Sequence, residues 1–121
     1  ELARETAQFC GFSQGMTYSF ESPKVFDKLL IPADSPLRRM VEISNPLGED
    51  FSVMRTTPLN GMLASLSTNY NRRNKAVRLY ELANVYRPKD LPLTELPDER
   101  MQFTLGWGFL HHEGGCGRIF R

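Results

Sequence analysis

Val77-Arg-Leu-Tyr-Glu-Leu-Ala-Asn-Val-Tyr86 places apolar residues on both sides of an alternating pattern. Val77, Leu79, Ala83 and Val85 fall on one face and Tyr80, Leu82 and Tyr86 on the other, which predicts a central strand in a sheet covered on both sides. Beyond Pro88, Pro92 and Pro97, Met101 to Leu105 reads as a second strand, antiparallel to the first. On the upstream side Thr57 caps a helix and Pro58 occupies its first turn. Leu59, Met62, Leu63, Leu66 and Tyr70 then recur at three- and four-residue steps, and Arg72 and Arg73 sit at the negative end of the helix dipole.

Further out, Glu1 to Cys10 sets Leu2, Ala3, Ala7 and Cys10 in one helical stripe, with Gly11 placed to end the helix. Met16-Thr-Tyr-Ser-Phe20 alternates strictly, which predicts a half-buried strand with Met16, Tyr18 and Phe20 on one face. Ser22-Pro23 opens a short helix from Lys24 to Leu30 that presents Val25, Phe26 and Leu29 to the core. Arg39 to Ile43 reads as a strand ending at the turn cluster Ser44-Asn-Pro-Leu-Gly48. The sum is an α+β chain, an antiparallel sheet with flanking helices.

At 121 residues, 40% hydrophobic and 24% charged, the chain fits one soluble globular domain and excludes fibrous, collagen-like and disordered classes. Fifteen Lys and Arg against fourteen Asp and Glu leave a net charge of +1, which argues against a binder driven by phosphate neutralisation over its whole surface. Cys10 and Cys116 lack Cys-x-x-Cys spacing, so neither a disulfide framework nor a zinc finger is expected, and a reducing, cytoplasmic setting fits best. No apolar run is long enough for a membrane span, and the first residues are unlike a signal peptide, so no membrane partner is expected.

Chemistry-bearing clusters are few. His111, His112 and Cys116 are three clustered metal-type ligands without a fourth, too few to close a tetrahedral site. Gly114-Gly-Cys-Gly117 lacks the Lys and Ser/Thr of a phosphate loop, and nothing places Glu42, Glu49 and Asp50 in a cleft as an acid and base pair. No catalytic, cofactor-binding or metal residue is therefore assigned. Arg72, Arg73, Lys75, Arg78, Arg87 and Lys89 face only Glu81 within their run, a candidate basic patch for phosphate or an acidic surface. The alternative is a solvated helix end and strand edge, since Asp90, Glu95, Asp98 and Glu99 follow at once. Asn69, Asn71 and Asn74 end the helix or, with the neighbouring arginines, supply a protein interface.

Five stretches carry a family resemblance: Gly11-Phe-Ser-Gln-Gly-Met-Thr-Tyr-Ser-Phe-Glu-Ser-Pro23, Asn45-Pro-Leu-Gly-Glu-Asp-Phe-Ser-Val-Met-Arg-Thr56, Pro58-Leu-Asn-Gly-Met-Leu63, Asn69-Tyr-Asn-Arg72 and Val77 to Tyr86. Together, and in order from Glu1 to about Gly106, they closely resemble the β subunit of bacterial phenylalanyl-tRNA synthetase. The resemblance implies the N-terminal part of that subunit's catalytic-like module, a degenerate class II synthetase fold that performs no chemistry. It implies an α subunit as partner in a two-α, two-β assembly. That α subunit activates phenylalanine with ATP and charges tRNA(Phe), and ATP and magnesium belong to the whole enzyme. After Arg87 the chain reads Pro-Lys-Asp, not the acidic, histidine-containing loop of an active class II site. The fragment alone is thus expected to be inactive.

Within the resemblance, Asn45, Pro46, Met54, Arg55, Thr56, Asn69, Asn71 and Arg72 are the candidate subunit-interface or structural residues. Arg55 either supports the fold locally, tying the Asn45 loop to the helix start, or reaches the α subunit. The alternative function is an independent RNA- or protein-binding module derived from a class II fold, using the Arg72 to Lys89 patch. The chain divides into residues 1–106, which carry the resemblance, and a Gly-rich tail, 107–121, which departs from it. Back-translated with suitable third bases and read one nucleotide later, the tail permits Asp-Phe-Phe-Thr-Met-Lys-Gly, which resembles the Asp-Phe-Phe-x-x-Lys-Gly continuation of the family pattern. A shifted reading frame near Trp107 would account for the departure and would leave His111, His112 and Cys116 without a selected role; the alternative is a genuine divergent terminus or a cloning scar.

Overall fold

A computed structural model describes residues 1–74, 76–109 and 117–120. In chain order the elements are α1 (Leu2–Phe9), β1 (Ser13–Gln14), β2 (Phe20–Glu21), α2 (Val25–Lys28), β3 (Val53–Met54), α3 (Leu59–Asn71), β4 (Ala76–Arg87), β5 (Asp98–Phe109) and β6 (Gly117–Phe120). Short 3-10 turns occupy Pro36–Arg38 and Glu49–Phe51. A four-stranded sheet has the order β1-β4-β5-β6, and β2 and β3 form a separate two-stranded sheet. The residues group into two compact units, Glu1–Thr17 with Gly61–Ala83 and Gln102–Arg121, and Tyr18–Asn60 with Asn84–Met101.

In the first unit the alternation of the strands sorts the layers. Phe103 stacks at 6.0 Å from Tyr80, Trp107 meets Phe12 edge-on at 6.4 Å, and the Tyr80 hydroxyl accepts a 2.8 Å hydrogen bond from Gln8 of α1. Phe103 and Leu105 wall a cavity of about 360 Å³ against Leu2, Thr6 and Ala7 of α1. Gly106, of the opposite parity on β5, lies against Met62 and Leu66 of α3. Both faces of the sheet are thus covered within this unit, as the double-sided pattern of Val77 to Tyr86 predicts. α1 closes with Cys10 N–H on the Thr6 carbonyl and Gly11 N–H on that of Gln8, each at 3.0 Å, and Gly11 stands at φ +82°.

The second unit has little regular structure. β2 pairs antiparallel with β3, with Phe20 opposite Met54 and Glu21 opposite Val53, and Glu42 adds an isolated bridge to Val53. Val25, Phe26, Val41, Val53 and Val85 are its buried apolar residues.

Three expectations need correction. Met16 to Phe20 is not a half-buried strand: only Phe20 is in a strand, and Met16, Tyr18 and Phe20 are exposed while Thr17 and Ser19 are partly covered. The alternation is real with the opposite sense, because the inward positions make polar bonds, Thr17 to Glu81 and the Ser19 carbonyl to Arg55 N–H. Arg39 to Ile43 forms only the single bridge at Glu42, flanked by Met54 N–H on the Val41 carbonyl and Ile43 N–H on the Ser52 carbonyl, both at 2.9 Å. The larger sheet is mixed, not antiparallel: β1 runs parallel to β4, Ser13 beside Leu79 and Gln14 beside Tyr80. Ser13–Gln14 takes that edge position because the intervening chain is long enough for a crossover.

The helix of Glu1 to Cys10, the Ser22-Pro23 helix and the helix after Thr57-Pro58 all form, each within a few residues of its expected bounds. β5 is longer than Met101 to Leu105 and runs through the 106/107 boundary to Phe109, with Leu105 to Gly108 paired antiparallel to β6. The expectations for Lys75, His111, His112 and Cys116 fall outside the described residues.

Candidate functional site

Arg55 follows β3 directly and is 4% exposed. Its backbone N–H donates to the Ser19 carbonyl and its own carbonyl accepts from Tyr86 N–H, both at 2.9 Å. The side chain repeats that link: Nε donates to the Asn84 carbonyl at 2.7 Å and Nη1 to the Tyr18 carbonyl at 3.5 Å. One residue therefore ties the approach to β2, the end of β3 and the second half of β4, all within one unit. An arginine suits this task because its planar fork of donors stays charged and reaches several acceptors at once. Next to it, Thr56 is fully buried and its hydroxyl donates to the Leu37 carbonyl at 2.6 Å.

Beside Arg55 lies Glu21, 6% exposed, with Oε2 unpartnered among the described residues. Burial pushes its carboxyl up from an ordinary 4.5 to about 7, against the opposing influence of the Arg55 charge and a side-chain hydrogen bond with Asn60. Sequence reading passed over Glu21. The signal was its phase: the alternation that turns Met16, Tyr18 and Phe20 outward places Thr17, Ser19 and Glu21 inward.

The outward residues form the surface of this junction. Tyr18 and Phe51 meet edge-on, ring centroids 6.0 Å apart, with Tyr18 77% exposed, and Phe20 and Leu47 are exposed in the same unit. Asn45 and Pro46 are exposed in the loop before Phe51, and Met54 pairs with Phe20. Asn69, Asn71 and Arg72 belong to the other unit. There Asn69 serves the helix end: its Nδ2 donates to the Ser65 carbonyl at 2.9 Å, its Oδ1 accepts from Asn74 Nδ2 at 2.6 Å, and its carbonyl accepts from Asn74 N–H. Asn71 and Arg72 are exposed.

The described cations of the basic run divide as well. Arg72, Arg73 and Arg78 belong to the first unit, and Arg87 and Lys89 to the second, where Lys89 pairs with Glu95 at 3.5 Å. Among the described residues no group of three or more His, Cys, Asp or Glu could hold a metal. The cavity beside α1 is walled by apolar side chains, chemistry that does not fit the triphosphate of ATP or its magnesium. Nor is any helix of the described residues long and apolar enough to cross a membrane.

Comparison with known proteins adds a family. Residues 1–112 match the model of the phenylalanyl tRNA synthetase beta chain CLM domain. The chain is 51% identical over 96 residues to the phenylalanine–tRNA ligase beta subunit of Clostridium acetobutylicum, covering 79% of this chain and 12% of that one. The beta subunit of Clostridium tetani gives the same identity and coverage, and that of Geobacter metallireducens is 43% identical over 105 residues, 86% of this chain and 13% of its own. The chain thus spans about an eighth of the length of these relatives.

Proposed function

The chain belongs to the family of the phenylalanyl tRNA synthetase beta chain CLM domain, and from that premise we propose that it is a non-catalytic part of a phenylalanine–tRNA ligase. Its work is to present a folded surface to the α subunit of a two-α, two-β enzyme in the cytoplasm. The α subunit and the rest of the assembly supply the ATP-dependent, class II chemistry that charges tRNA(Phe), and ATP and magnesium are assigned to them. The class II synthetase-like fold belongs to this proposal too.

The observation that carries the reading is the exposed aromatic pair, Tyr18 and Phe51, held on the Arg55 junction. Large aromatic side chains fixed on a rigid base are the usual anchors of protein interfaces, because they bury much apolar area with little loss of conformational freedom. Phe20 and Leu47 are further exposed apolar residues of the same unit, and Asn45 and Pro46 lie in the loop before Phe51. Arg55 and Thr56, being buried, support that surface from beneath, and Met54 fixes the register of Phe20.

The test is co-expression with the α subunit of a clostridial phenylalanine–tRNA ligase, read by size-exclusion chromatography and intact mass. A defined complex is expected, weakened at least tenfold by Tyr18→Ala combined with Phe51→Ala, with no aminoacyl-adenylate formed by the chain alone. A folded chain that ignores α would overturn the proposal. Salt-sensitive RNA binding through Arg72, Arg73 and Arg78 would then point to an independent module.

A further inference from the structure

Thr104 on β5 is fully buried, and its Oγ1 has no hydrogen-bond partner among the described residues. The same holds for the enclosed Oε1 of Gln102, two positions earlier on the strand. Residues two apart share a face of a sheet. That face is the one on which Gly106 meets Met62 and Leu66 of α3, and it is opposite to the face of Phe103 and Leu105.

β4 is the neighbouring strand. Tyr80 stacks on Phe103 and Asn84 Nδ2 donates to Glu99 at 2.8 Å, two contacts that fit one antiparallel register. In that register Glu81 stands opposite Gln102 and Leu79 opposite Thr104, so the Glu81 carboxyl shares the face of the two oxygens. Thr17 donates its N–H and its hydroxyl to Glu81 at 2.9 and 3.0 Å, and the start of α3 covers this side, with Gly61 against Thr17 and Met62 2% exposed.

A buried amide oxygen or hydroxyl without a partner forfeits the hydrogen bonds it has in water. The chemistry of the two groups decides what fits them. Gln102 Oε1 only accepts, whereas the Thr104 hydroxyl carries a proton that it must also donate. A metal cation would meet the lone pairs and leave the Thr104 proton without an acceptor. A water molecule meets both, since it donates twice and accepts twice.

We propose that Glu81, Gln102 and Thr104 form an enclosed site for one water molecule beneath the start of α3. The water donates to Gln102 Oε1 and to the Glu81 carboxylate and accepts from the Thr104 hydroxyl; about three partners is usual for a buried water. It couples β5 to the contact between Glu81 and Thr17. Because Gly61 and Met62 cover the site, the water leaves only when the start of α3 lifts, and its residence time measures that opening.

The test is a water–protein nuclear Overhauser measurement on the full chain in the rotating frame, where dipolar transfer and chemical exchange differ in sign, beside thermal unfolding of Thr104→Val. A dipolar cross-peak between water and the Gln102 side-chain amide protons is expected in the unaltered chain and is lost in Thr104→Val. The substitution also strips Gln102 Oε1 of its donor, so the thermal midpoint is expected to fall by about 3–6 °C. Were the hydroxyl bare, its removal would relieve a buried polar group and the midpoint would rise. A rise, or a cross-peak that persists in Thr104→Val, overturns the site. Should Thr104→Val fail to fold, the unaltered chain decides alone: the cross-peak supports the site and its absence removes it.

Discussion

Among the described residues each unit buries one glutamate, and the two are held in different ways. Glu81 of the first unit, 3% exposed, accepts from Thr17 N–H at 2.9 Å and from the Thr17 hydroxyl at 3.0 Å on both oxygens. Glu21 of the second, 6% exposed, has an oxygen without a partner among the described residues and lies beside Arg55, whose Nε donates to the Asn84 carbonyl. The difference lies in where the donors come from. At Glu81 a backbone amide and a hydroxyl from one residue converge on the carboxylate, and they cannot leave without unmaking the chain path. At Glu21 one oxygen has no such donor among the described residues, and burial pushes the carboxyl up despite the Arg55 charge. Burial of a charge is therefore not one condition but two, set by whether its donors are committed to it.

The comparison breaks most visibly at Arg55. Arg55→Ala leaves the Asn84 and Tyr18 carbonyls and Glu21 without their cation, and is expected to cost about 3–5 kcal/mol in a urea titration. A loss below about 1 kcal/mol would mean that the junction is held by something else. Next in size is the pH response of Glu21: a carboxyl pushed from 4.5 to about 7 corresponds to about 3 kcal/mol lost between those limits as pH rises. Glu81→Gln should leave that response in place, and its disappearance in Glu81→Gln would assign the response to the wrong unit.

On the Glu81 side the sensitive residue is Gly61. A Cβ there would lie 2.8 Å from the Cβ of Thr17 and still closer to its hydroxyl, so the start of α3 approaches the Glu81 clamp only because this side chain is absent. Gly61→Ala is expected to cost about 1–3 kcal/mol through overpacking, measured by thermal unfolding. The smallest effect has the opposite sign. Arg73 ends α3 at φ +59°, where glycine is the usual residue, and Arg73→Gly is expected to stabilise by up to about 1 kcal/mol in the same assay.

These sites also show what the sequence made legible. Val77 to Tyr86 could be read because apolar residues on both faces admit only a covered strand, and α3 because Thr57-Pro58 marks its start and the spacing its face. Met16 to Phe20 was misread because a period of two fixes which residues share a face but not which face turns inward. That sense was set by partners remote in sequence, Glu81 for Thr17 and Arg55 for Ser19, and no local pattern announces them. The same blindness hid Glu21, whose burial follows from that inverted phase. Arg55 stood out through the family resemblance alone; its position at the meeting of three backbone segments became visible only once β2, β3 and β4 were placed.

The contact between Trp107 and Phe12 has an optical consequence. Trp107 is the single tryptophan of the chain and belongs to the first unit, so the indole emission of the protein reports on the packing of that unit around Phe12. Backbone dichroism averages over both units. Melting curves from the two signals that superimpose would mark a single cooperative transition, and curves that separate would time the loss of one unit against the other without any label being added.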